Sequence, residues 1–168
     1  MSLIPNYPSD LREEHSDWHM SRSIPMGERG SGSEFLVFHY NFVQDFHQWY
    51  DSQPFADRAA VAPWTEIPSE FKTREFGWDA TLAAAEDRIV NHPESFAGLD
   101  ELGIFIETGI HNWLHVAAAE FYDEPVLARI SAANLSDHFY QIHGLVDSWA
   151  SSWLQSEAAA REDVWFGS

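Results

Sequence analysis

The chain has 168 residues, of which 45% are hydrophobic and 15% aromatic, and its formal net charge is −18. This composition excludes a disordered chain, and the excess of acidic residues argues against binding to the phosphate backbone of nucleic acids. The absence of cysteine excludes disulfides, zinc-thiolate sites and iron–sulfur clusters, so His, Asp and Glu are the only strong metal ligands. The first ten residues lack a basic region followed by an apolar run, and no stretch reaches the length of a membrane span. These features predict a soluble, cytoplasmic protein.

Apolar residues recur at intervals of three and four, which predicts an all-α fold. No repeat or long linker divides the chain, so we expect a single domain over residues 1–168. A first helix is expected from Leu11 to about Met20, with Ser9 as its N-cap. A glycine-rich segment, residues 23–33, then predicts a loop, and an aromatic helix is expected from about Glu34 to Tyr50.

The second half of the chain predicts three more helices after a proline-rich segment. Prolines interrupt residues 51–78, which are expected to form an irregular excursion packed by its own aromatic side chains. Helices are expected at about Ala80–Val90, Glu101–Phe121 and Asp137–Ala160, with an irregularity at Gly109. The sequence therefore predicts helices joined by long irregular loops.

Four of the nine histidines form two His-x-x-x-His pairs, His15 with His19 and His111 with His115. Residues four apart on a helix are neighbours, so each pair can hold one metal ion. The helices after the two pairs offer His39 and His143 as third ligands. Three neutral imidazoles with open positions suit zinc, copper, iron or nickel, and copper stands highest of these in the Irving–Williams order.

A single His-x-x-x-His pair in a helix is a weak signal of metal binding. The prediction of a metal site depends on the fact that a pair followed by a third histidine occurs twice. The remaining histidines do not belong to such a pair or follow one as a third ligand. They are expected at the surface, at helix caps or behind the metal ligands: His47, His92 and His138. Acceptors for the outer ring nitrogens of the ligands are available from Asp17, Asp147 and backbone carbonyls.

Two segments resemble motifs of the tyrosinase-like (type 3 copper) family. Residues 35–40, followed by Phe46, resemble the Phe-Leu-x-Trp-His-Arg segment around the last CuA ligand, with Phe38 in place of Trp and Tyr40 in place of Arg. Residues 137–147 resemble the Asp-Pro-x-Phe-x-x-His-His-x-x-x-Asp segment that closes CuB. In that alignment His143 takes the ligand position.

The most specific agreement is with the first CuB segment, because His111 is followed directly by Asn112 and then, at the expected spacing, by His115. In active family members this Asn helps to orient a water or a phenol, so the resemblance implies a catalytic role for Asn112. Many members also hold a water with an acidic residue before the first CuB ligand, for which Glu101 and Glu107 are candidates.

The resemblance implies a tyrosinase-like bundle of four core helices plus a short extra helix. It also implies a dinuclear copper centre, with one ion in each histidine triad. The family takes its second CuA ligand from a loop that corresponds to residues 30–33, which hold no histidine, so we infer that His19 replaces it. The implied activity is oxidation of o-diphenols or aminophenols by dioxygen, with monophenol hydroxylation as a further activity because Asn112 is present.

Three alternatives stay open from the sequence. The first is a protein of the same fold that binds copper or dioxygen with a degenerate CuA site and has no phenol oxidase activity. The second is a diiron or zinc protein on a helical bundle, although the Glu-x-x-His pairs typical of diiron carboxylate enzymes are absent. The third is a helical protein whose histidines only satisfy hydrogen bonds in the core. Metal content and stoichiometry discriminate among these alternatives.

Overall fold

All the long regular elements are helices in the computed structural model, which describes residues 3–166 and the side chains as far as residue 157. The helices are α1 (Ser9–Ser21), α2 (Ser31–Tyr50), α3 (Ala80–Asn91), α4 (Leu99–Phe105), α5 (His111–Phe121) and α6 (Asp137–Phe166). One turn of π-helix, Ile106–Ile110, joins α4 to α5. The described residues contain no β-strand, and Leu3 and Ser136 form an isolated bridge. The expected all-α class is confirmed.

The core lies between α2 and the helices around it. α2 packs against α1, α4 and α6, and α6 also packs against α4 and α5. Aromatic side chains fill the centre, and they are almost completely buried: Phe35, Phe42, Phe46, Phe139 and Tyr140. α4, the π-turn and α5 follow one another without a break and form one continuous helical unit.

Two glycines let the backbones of α2 and α4 touch. A Cβ atom on Gly103 would overlap the carbonyl oxygen of Gly32, and a Cβ atom on Gly32 would overlap the carbonyl oxygen of Asp100. Any larger residue at either position would push the helices apart. This contact holds the helix that carries His39 against the helical unit that carries His111.

The carboxylate of Asp100 caps the N-terminus of α2. It accepts hydrogen bonds from the backbone N–H groups of Gly30, Gly32 and Ser33 at 2.8, 2.9 and 3.0 Å. These bonds lower the pKa of Asp100, because they favour the ionised form. The cap explains why α2 begins at Ser31, before the expected start at Glu34: the capping side chain comes from another helix.

Loss of this cap should destabilise the fold measurably. Asp100→Ala leaves three N–H groups at the start of α2 without their acceptor, and we expect the free energy of unfolding to fall by about 2 kcal/mol, the upper end for capping residues. Chemical denaturation measures the change. Asp79→Ala is the control, and we expect it to lower the free energy of unfolding by less than Asp100→Ala does. Asp79 accepts only one such bond, from Leu82 N at 2.9 Å. Equal losses in the two variants would contradict the role given to Asp100.

The start of α1 differs from the expected one. α1 begins at Ser9 itself and Pro8 occupies the cap position, so the assignment of Ser9 as N-cap is wrong. The ring of Pro8 fixes its φ near the helical value, and the carbonyl of Pro8 accepts the first helical hydrogen bond, from Arg12 N. α3 and α6 begin where the sequence predicts, at Ala80 and Asp137.

The proline-rich segment is ordered by aromatic packing, as expected. It contains short 3₁₀ turns at Ser69–Phe71 and Arg74–Phe76. Phe71 is completely buried and its ring contacts those of Trp64 and Phe121. Within residues 3–166, no helix combines the length and the apolar character that a membrane span requires.

Candidate metal centre

Six histidines form two triads inside the bundle. The first triad consists of His15 and His19 from α1 and His39 from α2, and the second of His111 and His115 from α5 and His143 from α6. In each triad, one ring nitrogen from every histidine lies within 4.8 Å of those from the other two. The two triads could therefore hold metal ions, and they contain all six residues that the sequence singles out as ligands.

The second triad has the dimensions of a metal site. The Nε2 atom of His115 lies 3.1 Å from that of His111 and 3.3 Å from that of His143, and the His111 and His143 Nε2 atoms are 3.3 Å apart. In the plane of these three atoms, the point that is equidistant from them lies about 1.9 Å from each. Since metal–imidazole bonds are about 2.0–2.1 Å long, an ion fits slightly above the plane of the three nitrogens.

In the first triad, two nitrogen lone pairs face each other. His15 Nδ1 lies 3.0 Å from the carbonyl oxygen of Ile130, and His39 Nδ1 lies 2.8 Å from that of Phe35. A carbonyl oxygen can only accept, so both rings carry their proton on Nδ1 and both Nε2 atoms are bare. These bare atoms are 3.4 Å apart. Neutral rings cannot hydrogen-bond in this arrangement, whereas a cation between them would be bound by both.

Burial keeps the imidazoles neutral, which is the form that binds metals. It lowers the pKa of His15 to about 3 and those of His19 and His115 to about 4. Repulsion from His19 contributes at His15, and repulsion from Arg22 contributes at His19. For His39, His111 and His143, desolvation likewise lowers the pKa well below the usual value. Protons therefore do not compete for the ligand atoms near neutral pH.

These depressed pKa values predict that the metal-free protein loses stability in acid. The unfolded chain binds protons on its histidines below about pH 6.5, whereas folded His15 stays neutral until about pH 3. The folded state therefore loses stability as the pH decreases from about 6.5 towards 3. His15→Gln removes one such group, and between pH 7 and pH 5 we expect this variant to lose about 2 kcal/mol less than the parent. Denaturation at both pH values measures the difference, and parallel losses would contradict the prediction.

The two triads adjoin each other. The rings of His39 and His143 are stacked, with centroids 4.5 Å apart and planes 9° apart, and the centroids of His39 and His111 are 6.3 Å apart. Phe35 contacts these three rings from one helix, and Phe139 contacts His15 and His143 from another. The triads are thus held side by side by buried aromatic rings.

One pocket opens onto both triads and has a volume of about 440 Å³. Four of the ligand candidates line it: His15, His19, His111 and His115. Asn112, which the resemblance marks as catalytic, is exposed on the wall of the same pocket. The pocket therefore gives a small molecule access to the ring nitrogens and to the Asn112 amide.

The structure separates the two acidic candidates. Glu107 is buried in the π-turn and lines the pocket, whereas Glu101 is exposed and binds Arg88 and the N–H of Ala97. Burial raises the pKa of Glu107, and a short ion pair with Arg22 opposes that shift. Sequence reasoning missed Arg22, because nothing in its position near the end of α1 indicates a partner 85 residues away.

Three of the six triad histidines donate their outer ring N–H to a backbone carbonyl. His15, His39 and His115 use the carbonyls of Ile130, Phe35 and Leu127, the last at 2.9 Å. Among the described side chains, neither Asp17 nor Asp147 bonds to a triad histidine, so the carboxylate acceptors suggested by the sequence are not the ones used. Outside the triads lie the three histidines that the sequence analysis set apart: His47, His92 and His138.

Comparison of the chain with protein-family models, with curated proteins and with solved structures gives no match.

Proposed function

We propose that the chain is a copper-dependent oxidoreductase that uses dioxygen to oxidise phenols, in the manner of the tyrosinase-like proteins. The observation that carries the proposal is the pair of adjoining three-histidine groups beneath one open pocket. Copper in each triad would form a dinuclear centre, which supplies the redox chemistry with dioxygen when bound. The six histidines would hold the ions, and the stacked His39 and His143 rings would keep the two sites side by side.

The remaining residues of the pocket have roles that follow from their positions. Asn112 is exposed beside His111 and would orient the phenol or a water by hydrogen bonds from its amide. Glu107 lines the same pocket and is the better placed acidic residue to hold a water, while its ion pair with Arg22 fixes its position. Membership of the tyrosinase-like family is part of the proposal, and it is supported by the motifs around His39, His111 and His143.

Metal content and oxygen uptake test the proposal together. Protein reconstituted with copper is expected to hold two ions per chain and to consume dioxygen with catechol or 2-aminophenol as substrate. Zinc-loaded protein is the control, because zinc has no redox chemistry. Two bound coppers without substrate-dependent oxygen uptake would overturn the oxidase assignment.

Asn112→Ala is expected to retain catechol oxidation and to lose most hydroxylation of monophenols, if Asn112 acts on the phenol as the resemblance implies. The ratio of the two activities is the measurement, and copper content should stay that of the parent. An unchanged ratio would remove the catalytic role given to Asn112.

A second candidate is a copper- or dioxygen-binding protein whose first site is degenerate. One observation favours it: His19 is less buried than His15 and His39, and its ring makes no hydrogen bond among the described residues. A single copper per chain would indicate this second candidate, since only the second triad brings all three Nε2 atoms within 3.3 Å of each other.

A further inference from the structure

The pocket beside the triads is larger than a phenol ring needs. A cavity of about 150 Å³ already accommodates benzene, whereas this pocket has about 440 Å³. A ligand whose ring reached the triads would leave space for a substituent of several atoms. The walls of that space therefore determine which substituent binds.

One wall of the pocket is apolar and is fixed to the triads. It is formed by the segment from Leu127 to Ala133, whose carbonyls at Leu127 and Ile130 bind the rings of His115 and His15. These two hydrogen bonds fix the distance between the apolar wall and the ring nitrogens. The Leu127 side chain is buried in this wall, whereas that of Ile130 is 51% exposed.

The rim of the pocket is also apolar, on a protein of net charge −18. Three lining residues are large hydrophobic side chains that are more than half exposed: Met26 at 55%, Val116 at 56% and Ile130 at 51%. They come from three separate parts of the chain and line the same pocket. Because each leaves apolar surface in contact with water, a ligand that covered them would gain free energy from burial.

Outside the triads, the lining of the pocket offers no unpaired charge to a ligand. Arg22 and Glu107 are its only formally charged lining residues, and they neutralise each other in an ion pair whose side chains are 9% and 3% exposed. A carboxylate or an ammonium group on the substituent would lie against the apolar side chains of Met26, Val116 and Ile130, where it would lose water without gaining a partner, which is unfavourable.

We propose that this pocket selects uncharged phenols that carry an apolar substituent, with the ring at the triads and the substituent against Val116, Ile130 and Met26. This inference rests on the proposed function, because the proposed function places the phenol ring at the triads. It adds the class of substrate: an alkyl-substituted phenol or catechol, rather than an amino-acid-like or acidic one.

Binding can be measured without turnover by using zinc-loaded protein and the metal-free protein in parallel. Three monophenols of similar size serve as probes: 4-butylphenol, which is neutral, 3-(4-hydroxyphenyl)propionate, which is anionic, and tyramine, which is cationic. We expect 4-butylphenol to bind at least about tenfold more tightly than either charged probe, as titration calorimetry would show. Equal or tighter binding of a charged probe would overturn the inference.

Variants of the rim locate the site. Val116→Ser and Ile130→Ser each remove apolar surface from a side chain that is already exposed, so the fold should be unaffected. Each is expected to weaken 4-butylphenol binding about three- to fivefold and to leave tyramine binding unchanged. Val90→Ser is the matched control, since Val90 is 51% exposed on α3, away from the pocket. The inference fails if Val116→Ser and Ile130→Ser behave like this control.

The two proposals fail in different ways. Tight, rim-dependent binding of 4-butylphenol to a protein that oxidises no phenol with copper bound would sustain the ligand class and overturn the oxidase. Copper-dependent oxidation that favours dopamine or 3-(3,4-dihydroxyphenyl)propionate over 4-butylcatechol would sustain the oxidase and overturn the ligand class.

Discussion

Replacing His143 with Ala is expected to reduce the copper content from two ions per chain to one. The Nε2 atom of His143 lies 3.3 Å from those of both His111 and His115, so the variant leaves only two ligands in the second triad. Losing a direct ligand should weaken binding by more than the 10- to 100-fold that loss of an outer-sphere partner causes. Elemental analysis after removal of free metal measures the change, and oxygen uptake with catechol should disappear with it.

The control for this prediction separates metal loss from misfolding. His92→Ala removes a histidine that is 60% exposed and lies outside both triads, so it should keep the copper content of the parent. His143→Asn keeps a polar group in the site, and its helical circular dichroism should match that of the parent. Unchanged copper binding by a folded His143 variant would contradict the metal centre itself.

Replacing Gly103 with Ala should cause a large loss of stability. The added Cβ atom would overlap the backbone carbonyl of Gly32, which cannot rotate away as a side chain could. α2 and α4 would have to separate, and overpacking of this kind costs about 3 kcal/mol or more. Thermal or chemical denaturation of the metal-free protein measures the effect.

A second glycine of the same helical unit gives a matched control. Gly109 lies in the π-turn, and a Cβ atom there would meet nothing within 4 Å. Gly109→Ala should therefore leave the free energy of unfolding unchanged or raise it by up to about 1 kcal/mol, because Ala restricts the unfolded chain more than Gly does. Similar losses in the two variants would show that the contact between α2 and α4 is not the cause.

The ligand histidines could be found from the sequence because their spacing has a direct geometric meaning. His15 with His19 and His111 with His115 are separated by about one helical turn, so each pair had to lie on one face of its helix. The expected helix boundaries were accurate to a few residues, and the structure shows a local cap at the start of α3, where the Asp79 side chain accepts a hydrogen bond from Leu82 N. The irregularity expected at Gly109 is a turn of π-helix, a feature that often occurs at functional sites.

Features that depend on distant partners could not be predicted. The early start of α2 depends on Asp100, which lies about 70 residues further along the chain and is close only in the folded bundle. The ion pair of Arg22 with Glu107 and the carbonyl acceptor of His15 at Ile130 span similar or longer separations. No local pattern marks these residues, because their roles come from the packing of helices and not from their neighbours in sequence.

The carbonyl acceptors behind the histidine rings have a consequence for how this site tolerates mutation. A carboxylate that braces a ligand can be deleted by one codon change, but a main-chain oxygen is present whatever amino acid occupies the position. Substitutions at Leu127 or Ile130 can therefore alter the lining of the pocket while the rings of His115 and His15 keep their tautomer and orientation. The choice of ligand and the geometry of metal binding can thus diverge independently in descendants of this chain.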